Sequence, residues 1–284
     1  MEPSMATFTR QSRGGNLTNR RTEMLLKNKN AVIYGAGGAI GGAVARAFAR
    51  EGAKVFLAGR SLSSLEAVAK DISHAGGVAE VAQVDALDER AVENYLKEVA
   101  RKAGSIDVSF NVIGLGDTQG APLVEMEHER FALPIVNAMA THFLTATAAA
   151  RHMRKNGSGV ILALTAQAAR SPYPNVGGFG VAGAAIEGFC RQLAAEVGPQ
   201  GIRVICLRSA GSPDTPGVDE VFHRHAKDAG ISREAFEAGI AEKTLLKRLP
   251  KLAEVANVAA LMASDYASAV TGAVANVTCG EIVD

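Results

Sequence analysis

The run Tyr34-Gly35-Ala36-Gly37-Gly38-Ala39-Ile40-Gly41-Gly42 gathers glycines where a short apolar segment gives way to a helical one. Glycine lets a backbone turn tightly and approach a bulky anion closely, and a helix start adds free N–H groups and the positive end of its dipole. Between a first strand and a first helix, this pattern predicts a pyrophosphate site for a dinucleotide. The second apolar segment ends in Ala58-Gly59-Arg60-Ser61. An NAD-preferring site carries a carboxylate there for the ribose 2′-hydroxyl. Gly59 supplies none, whereas Arg60 offers a planar cation suited to a 2′-phosphate and Ser61 a further donor. The expected cofactor is therefore NADP(H); the plainer alternative makes Arg60 a solvated arginine at a helix start. The three cysteines, Cys190, Cys206 and Cys279, are widely spaced, cannot all pair and form no metal-ligand spacing. His223 and His225 lie two apart, which sends them to different faces of a helix, so solvated side chains and no metal are expected.

The elements that must position these residues alternate regularly. Apolar runs at 31–34, 54–58, 78–84, 106–113, 159–165, 202–207 and 273–277 are separated by segments of helical character, among them 39–52, 61–77 and 88–104. Strands that read as apolar runs between amphipathic helices predict a parallel sheet covered on both faces. The expected fold class is α/β: a single doubly wound Rossmann-type domain over 24–284 with a seven-stranded sheet. Residues 1–23 are polar and weakly basic without apolar periodicity, which predicts a flexible arm, with a subunit-clasping arm as the alternative. The polar, helical segment 217–244 is longer than a plain connection and is expected to form a lid over the substrate.

Bulk properties narrow the classes of partner. A chain of 284 residues, 48% apolar and 21% charged, suffices for one large domain. A net charge of +1 gives no broad electrostatic footprint for nucleic acid or an anionic membrane. No uninterrupted apolar run approaches the ~20 residues of a membrane span. Cytoplasmic localisation and a small-molecule substrate are expected, the unpaired cysteine usage fitting a reducing compartment.

Together these residues resemble the short-chain dehydrogenase/reductase family from about residue 28 to the C-terminus. The resemblance matches the stretch from Tyr34 to Gly41 with the family's Thr-Gly-xxx-Gly-x-Gly loop, Tyr34 replacing the threonine and Ala39 the middle glycine. It implies that Asp85 and Ala86 lie against the adenine. Asn111, Val112, Ile113 and Gly114 stand where the family has Asn-Asn-Ala-Gly, and Asn137 falls at the catalytic asparagine position. Gly211 and Thr215 occupy the turn after the sixth strand, where Thr215 would meet the cofactor's phosphate or carboxamide. Segment 245–280 resembles the family's ending. The two long helices around Asn137 and Phe179 resemble the dimer-forming pair, which implies a homotetramer or homodimer. His142, five residues after Asn137, is expected to be an interface histidine rather than a base.

Registering the chain on Ala194–Val204, which fits the family's Leu-Ala-x-Glu…Gly-Ile-Arg-Val pattern without a gap, exposes a departure. Phe179 then falls at the family's tyrosine position, Gly183 at the lysine and Ala166 at the serine. No other register supplies the pair, because no lysine occurs between Lys155 and Lys227. The family's tyrosine gives or takes the carbonyl proton, and losing such a general acid costs ~10²–10⁴ in rate. Two classes of function follow. In the first, the chain is an NADP(H)-dependent oxidoreductase acting on an imine or a conjugated alkene, with Thr165, Gln167 or Tyr173 as candidate polar groups; their plain alternatives are a strand end, a backbone-bonded loop residue and packing. In the second, it binds NADP(H) without chemistry, as a sensor or partner subunit. Non-redox chemistry in the same cleft remains a third alternative.

Overall fold

In the computed structural model, which describes residues 24–283, seven parallel strands form one sheet in the order β3-β2-β1-β4-β5-β6-β7. The strands are β1 (Asn30–Tyr34), β2 (Lys54–Gly59), β3 (Val78–Gln83), β4 (Val108–Asn111), β5 (Gly159–Ala166), β6 (Ile202–Ser209) and β7 (Ala273–Val277). The helices are α1 (Ala39–Arg50), α2 (Leu62–His74), α3 (Glu89–Ala103), α4 (His128–Met153), α5 (Phe179–Val197), α6 (Pro216–Asp228), α7 (Arg233–Lys243) and α8 (Leu252–Ala263). The expected seven-stranded α/β domain is what the chain forms. The expected arm, residues 1–23, lies outside the described residues.

Alternate strand residues feed two cores. Val32 and Tyr34 pack with Leu96, Ile161, Ile186 and Val204 on the face covered by α3, α4 and α5. Ala31 and Ile33 turn to Phe48, Leu57, Leu65 and Ala259 on the face covered by α1, α2 and α8. With both faces buried, the strands must be apolar throughout, which is why they read as runs in the sequence. Local signals end the helices: Asp88 caps α3 by accepting from the N–H groups of Arg90 and Ala91 at 2.9 and 3.1 Å, and Gly104, at φ +83°, stops it.

Helix α4 is long and apolar enough to cross a membrane by length and composition alone. Here Ala138, Thr145, Ala149 and Met153 are spent on packing inside the domain. The expected lid segment forms α6 and α7, held by a separate small core of Ala210, Phe222, Ile240 and Leu249. Between β1 and β4 the strand order reverses, and there the α1 and α4 sides of the sheet part to leave a crevice beyond the carboxyl ends of the strands.

Candidate functional site

That crevice is a cleft of about 440 Å³. Its floor is the turn from β1 into α1. Gly35 sits at φ +78°, and a Cβ there would lie 2.8 Å from the Val112 carbonyl oxygen. Gly41, in the first turn of α1, would place a Cβ 2.3 Å from the Gly35 carbonyl oxygen. The helix start therefore lies directly on the loop, a packing that only glycine permits. Gly38 is the N-cap and offers no side chain, and the first turn of α1 holds no acidic residue. The free N–H groups of that turn thus face the cleft with no internal anion to compete for them.

One wall is the β2–α2 junction. Gly59, Arg60, Ser61 and Ser64 line it. Arg60 is exposed, its carbonyl held by Gln83 Nε2 at 2.9 Å, and Ser61 and Ser64 lie within 3.0 Å of each other at the N-terminus of α2. Beside them, Asp85 Oδ1 accepts from the Leu87 N–H at 3.0 Å, fixing the turn that presents Ala86 and Leu87. The opposite wall is Val112-Ile113-Gly114. Buried Asn111 holds it, accepting from the Ile113 N–H at 3.0 Å and donating to Thr145 Oγ1 at 3.3 Å. Asn137 Nδ2 donates to the Leu115 carbonyl at 3.0 Å, and one turn later Thr141 Oγ1 donates to the Asn137 carbonyl at 2.8 Å.

Among the residues singled out from the sequence, Gly35, Gly37, Gly38, Arg60, Ser61, Asp85, Ala86, Val112, Ile113, Gly114 and Asn137 line this one cleft. Ala39, Ile40 and Gly41 form the helix start beneath it, and Asn111 stands behind its wall. Gly211 packs instead toward Phe222, and Thr215 is buried with its hydroxyl on the Ser212 carbonyl at 2.9 Å; neither is among the lining residues. Ser64 and Thr141 line the cleft without having been singled out; each lies one helical turn from a residue that was, Ser61 and Asn137, a spacing that could have found them.

The remaining candidates scatter. Ala166 ends β5, and Phe179 begins α5 and packs against the core. A Cβ on Gly183 would be 2.9 Å from that of Ala169, and one on Gly180 would be 2.7 Å from the Ala168 carbonyl oxygen. The 3₁₀ turn Gln167–Ala169 therefore rests directly on this face of α5, in the space that longer side chains would need. Thr165 is buried and turned into the core, donating to Glu187 Oε1 at 3.0 Å; Glu187 is in turn paired with Arg208 through two 2.8 Å bonds. Gln167 has its Oε1 buried without a hydrogen-bond partner. Tyr173 is half-buried, and its hydroxyl pKa is raised by burial and by the nearby Glu281 carboxylate.

Two histidines depart from expectation. His142 is not at an outer helix face but 3% exposed inside the chain, because α4 turns it toward β4 and β5. Its Nδ1 bonds the Ala138 carbonyl at 2.8 Å, its Nε2 has no partner, and burial lowers its pKa to about 4. His225 is likewise not solvated: it is 7% exposed on the inner face of α6, whereas His223 stays exposed on another face. Among the described residues no cluster of His, Cys, Asp and Glu has the makeup of a metal site.

Residues 35–281 match the family described as enoyl-(acyl carrier protein) reductase. The chain is 32% identical to the uncharacterized oxidoreductase YxbG of Bacillus subtilis, covering 87% of this chain and 88% of that protein. It is 28% identical to the 3-oxoacyl-acyl-carrier-protein reductase FabG of Chlamydia trachomatis over 90% of this chain and 98% of that one. Levodione reductase superposes with a TM-score of 0.83 at 27% identity, over 90% and 98% of the two chains. NAD+-bound xylitol dehydrogenase shares the fold with a TM-score of 0.84 at 23% identity, over 90% and 99%. A match of this extent, on a parallel sheet with a glycine-floored cleft at its switch point, means that the chain belongs to the short-chain dehydrogenase/reductase family of oxidoreductases.

Proposed function

We propose that the protein is an NADP(H)-dependent oxidoreductase with a non-standard active site, reducing a conjugated alkene or an imine rather than a simple ketone. The observation that carries this reading is the cleft wall Gly59-Arg60-Ser61: it offers a guanidinium, two hydroxyls with Ser64, and no carboxylate. A 2′-phosphate fits that donor set, and the pyrophosphate fits the glycine floor and the α1 N-terminus. Asp85 and Ala86 flank the adenine in this reading, and Ile113, Gly114 and Asn137 bound the nicotinamide end. A reduced nicotinamide bound there supplies hydride.

The chain's own residues supply the rest. Phe179 has no proton to give, and Gly183 has no room for the lysine that would tune one. In alkene reduction the carbon β to the carbonyl takes the hydride and the α carbon takes a proton; Tyr173 is the proposed donor, its phenolate then regaining a proton from water. Its hydroxyl carries its proton at neutral pH, and burial and the Glu281 carboxylate raise its pKa further. An iminium needs no such donor, since it already carries the proton. A second reading, NADP(H) binding without chemistry, is favoured by the same filled seam between Gly183 and Ala169. The working assembly is proposed to be a cytoplasmic homodimer or homotetramer built on α4 and α5, which expose Val136, Phe143 and Val181.

Calorimetric titration with NADPH and NADH tests the cofactor reading, with NADPH expected to bind at least about tenfold more tightly through one charge-assisted contact. Equal affinities refute Arg60 as the reader of the 2′-phosphate. Binding without turnover of imines and enones selects the silent reading.

A further inference from the structure

Two loops far apart in sequence, the one after β4 and the one before α5, meet on one face of helix α6. They converge on His225. Its Nε2 lies 3.2 Å from Gln119 Oε1, and Gln119 Nε2 donates to Asp117 Oδ2 at 2.7 Å. An ionised carboxylate only accepts, so Asp117 fixes which end of the Gln119 amide faces His225. The carboxamide oxygen so presented also only accepts, and it places the imidazole proton on Nε2. The ring of His225 stacks on Phe236 at 5.9 Å and 6°, and meets Tyr173 edge-on at 5.9 Å and 81°. The two loops are joined as well: the Gly120 N–H donates to the Asn175 carbonyl at 2.7 Å.

We propose that His225 is the positioning residue of this face, with two separable duties. Its ring sets Tyr173, and its Nε2–H holds the loop 115–122 through Gln119. The first duty takes its purpose from the reading of Tyr173 as proton donor, so the two are tested by different measurements. Asp228 and Arg224 on α6 also act on His225, with opposite signs, while Glu281 acts on Tyr173.

The test uses the full-length protein and two substitutions. His225→Phe keeps a ring and loses the donor; His225→Gln keeps a donor and loses the ring. Amide hydrogen exchange across 115–122 reads the Gln119 bond, and ultraviolet titration of the phenols, with Tyr173→Phe to assign the signal, reads the ring contact. His225→Phe is expected to speed exchange in 115–122 up to about tenfold, the worth of one hydrogen bond, and to leave the Tyr173 midpoint raised. His225→Gln is expected to do the reverse, the Tyr173 midpoint falling toward the ordinary 10.0. The same response from both variants, no response from either, or faster exchange confined to α6 and α7 overturns the proposal. Turnover of cyclohex-2-enone by wild type and Tyr173→Phe decides the donor reading separately: equal rates sink that reading and leave the clamp to be judged by exchange.

Discussion

Acid should destabilise this protein through His142, and the amount follows from its surroundings. The imidazole is sealed between α4 and the sheet, with Nδ1 donating to the Ala138 carbonyl and Nε2 facing a cavity of about 10 Å³ lined by Ser109, Asn111 and Thr145. A cation there would lose its hydration, so folding lowers the pKa from 6.5 to about 4. Between those values the unfolded chain binds a proton that the folded chain does not. Stability is therefore full above about pH 6.5 and falls as the pH drops toward 4. At 1.36 kcal/mol per pH unit the whole gap corresponds to about 3 kcal/mol, of which about 2 kcal/mol is lost between pH 7 and pH 5. The perturbation is His142→Asn, whose amide can still donate to the Ala138 carbonyl but does not titrate. Urea unfolding of both proteins at half-unit pH steps isolates the site, since every other ionisable group is common to the pair. The wild-type advantage should shrink by about 2 kcal/mol from pH 7 to pH 5. Parallel curves would falsify the account of a buried, neutral imidazole.

Other expectations follow from the same packing. Gly41→Val sets a Cβ against the Gly35 carbonyl oxygen, so NADPH affinity should be lost in calorimetry and the melting temperature should fall; unchanged binding refutes the glycine floor. Arg60→Ala should weaken NADPH binding about 10–100-fold, the worth of a charge-assisted contact, and leave NADH binding unchanged. The triple variant Ala166→Ser, Phe179→Tyr, Gly183→Lys should gain no ketone reduction. It should also be destabilised by overpacking of about 1–3 kcal/mol against Ala169, partly offset by about 1 kcal/mol of helix propensity. Ketone turnover by that variant would show that the seam can open. Arg208→Leu strands the buried Glu187 carboxylate and should cost about 3–5 kcal/mol in denaturant unfolding; a loss under 1 kcal/mol would contradict that burial.

The sequence by itself determined the architecture and the floor of the site. Apolar runs alternating with amphipathic helices specify a parallel sheet, because strands buried on both faces leave no polar alternation and each helix must repeat a stripe. That the glycine loop, Gly59-Arg60-Ser61 and Asp85 share one cleft was legible for a related reason: each lies at or just beyond a strand end, and local order along the chain sets that place. What only the tertiary structure decided were the directions of side chains whose neighbours come from elsewhere. Thr165 stands next to Ala166 yet faces Glu187, a residue of α5. His142 reads as an interface histidine and His225 as a solvated one because periodicity fixes which residues share a helix face but not what covers that face. One is covered by the sheet, the other by loops whose residues lie 52 and 106 positions away in Tyr173 and Gln119. The filling of Gly183 by Ala169 was hidden for the same reason, since a glycine in sequence shows only that a side chain is missing, and the chain that takes its place is found by folding.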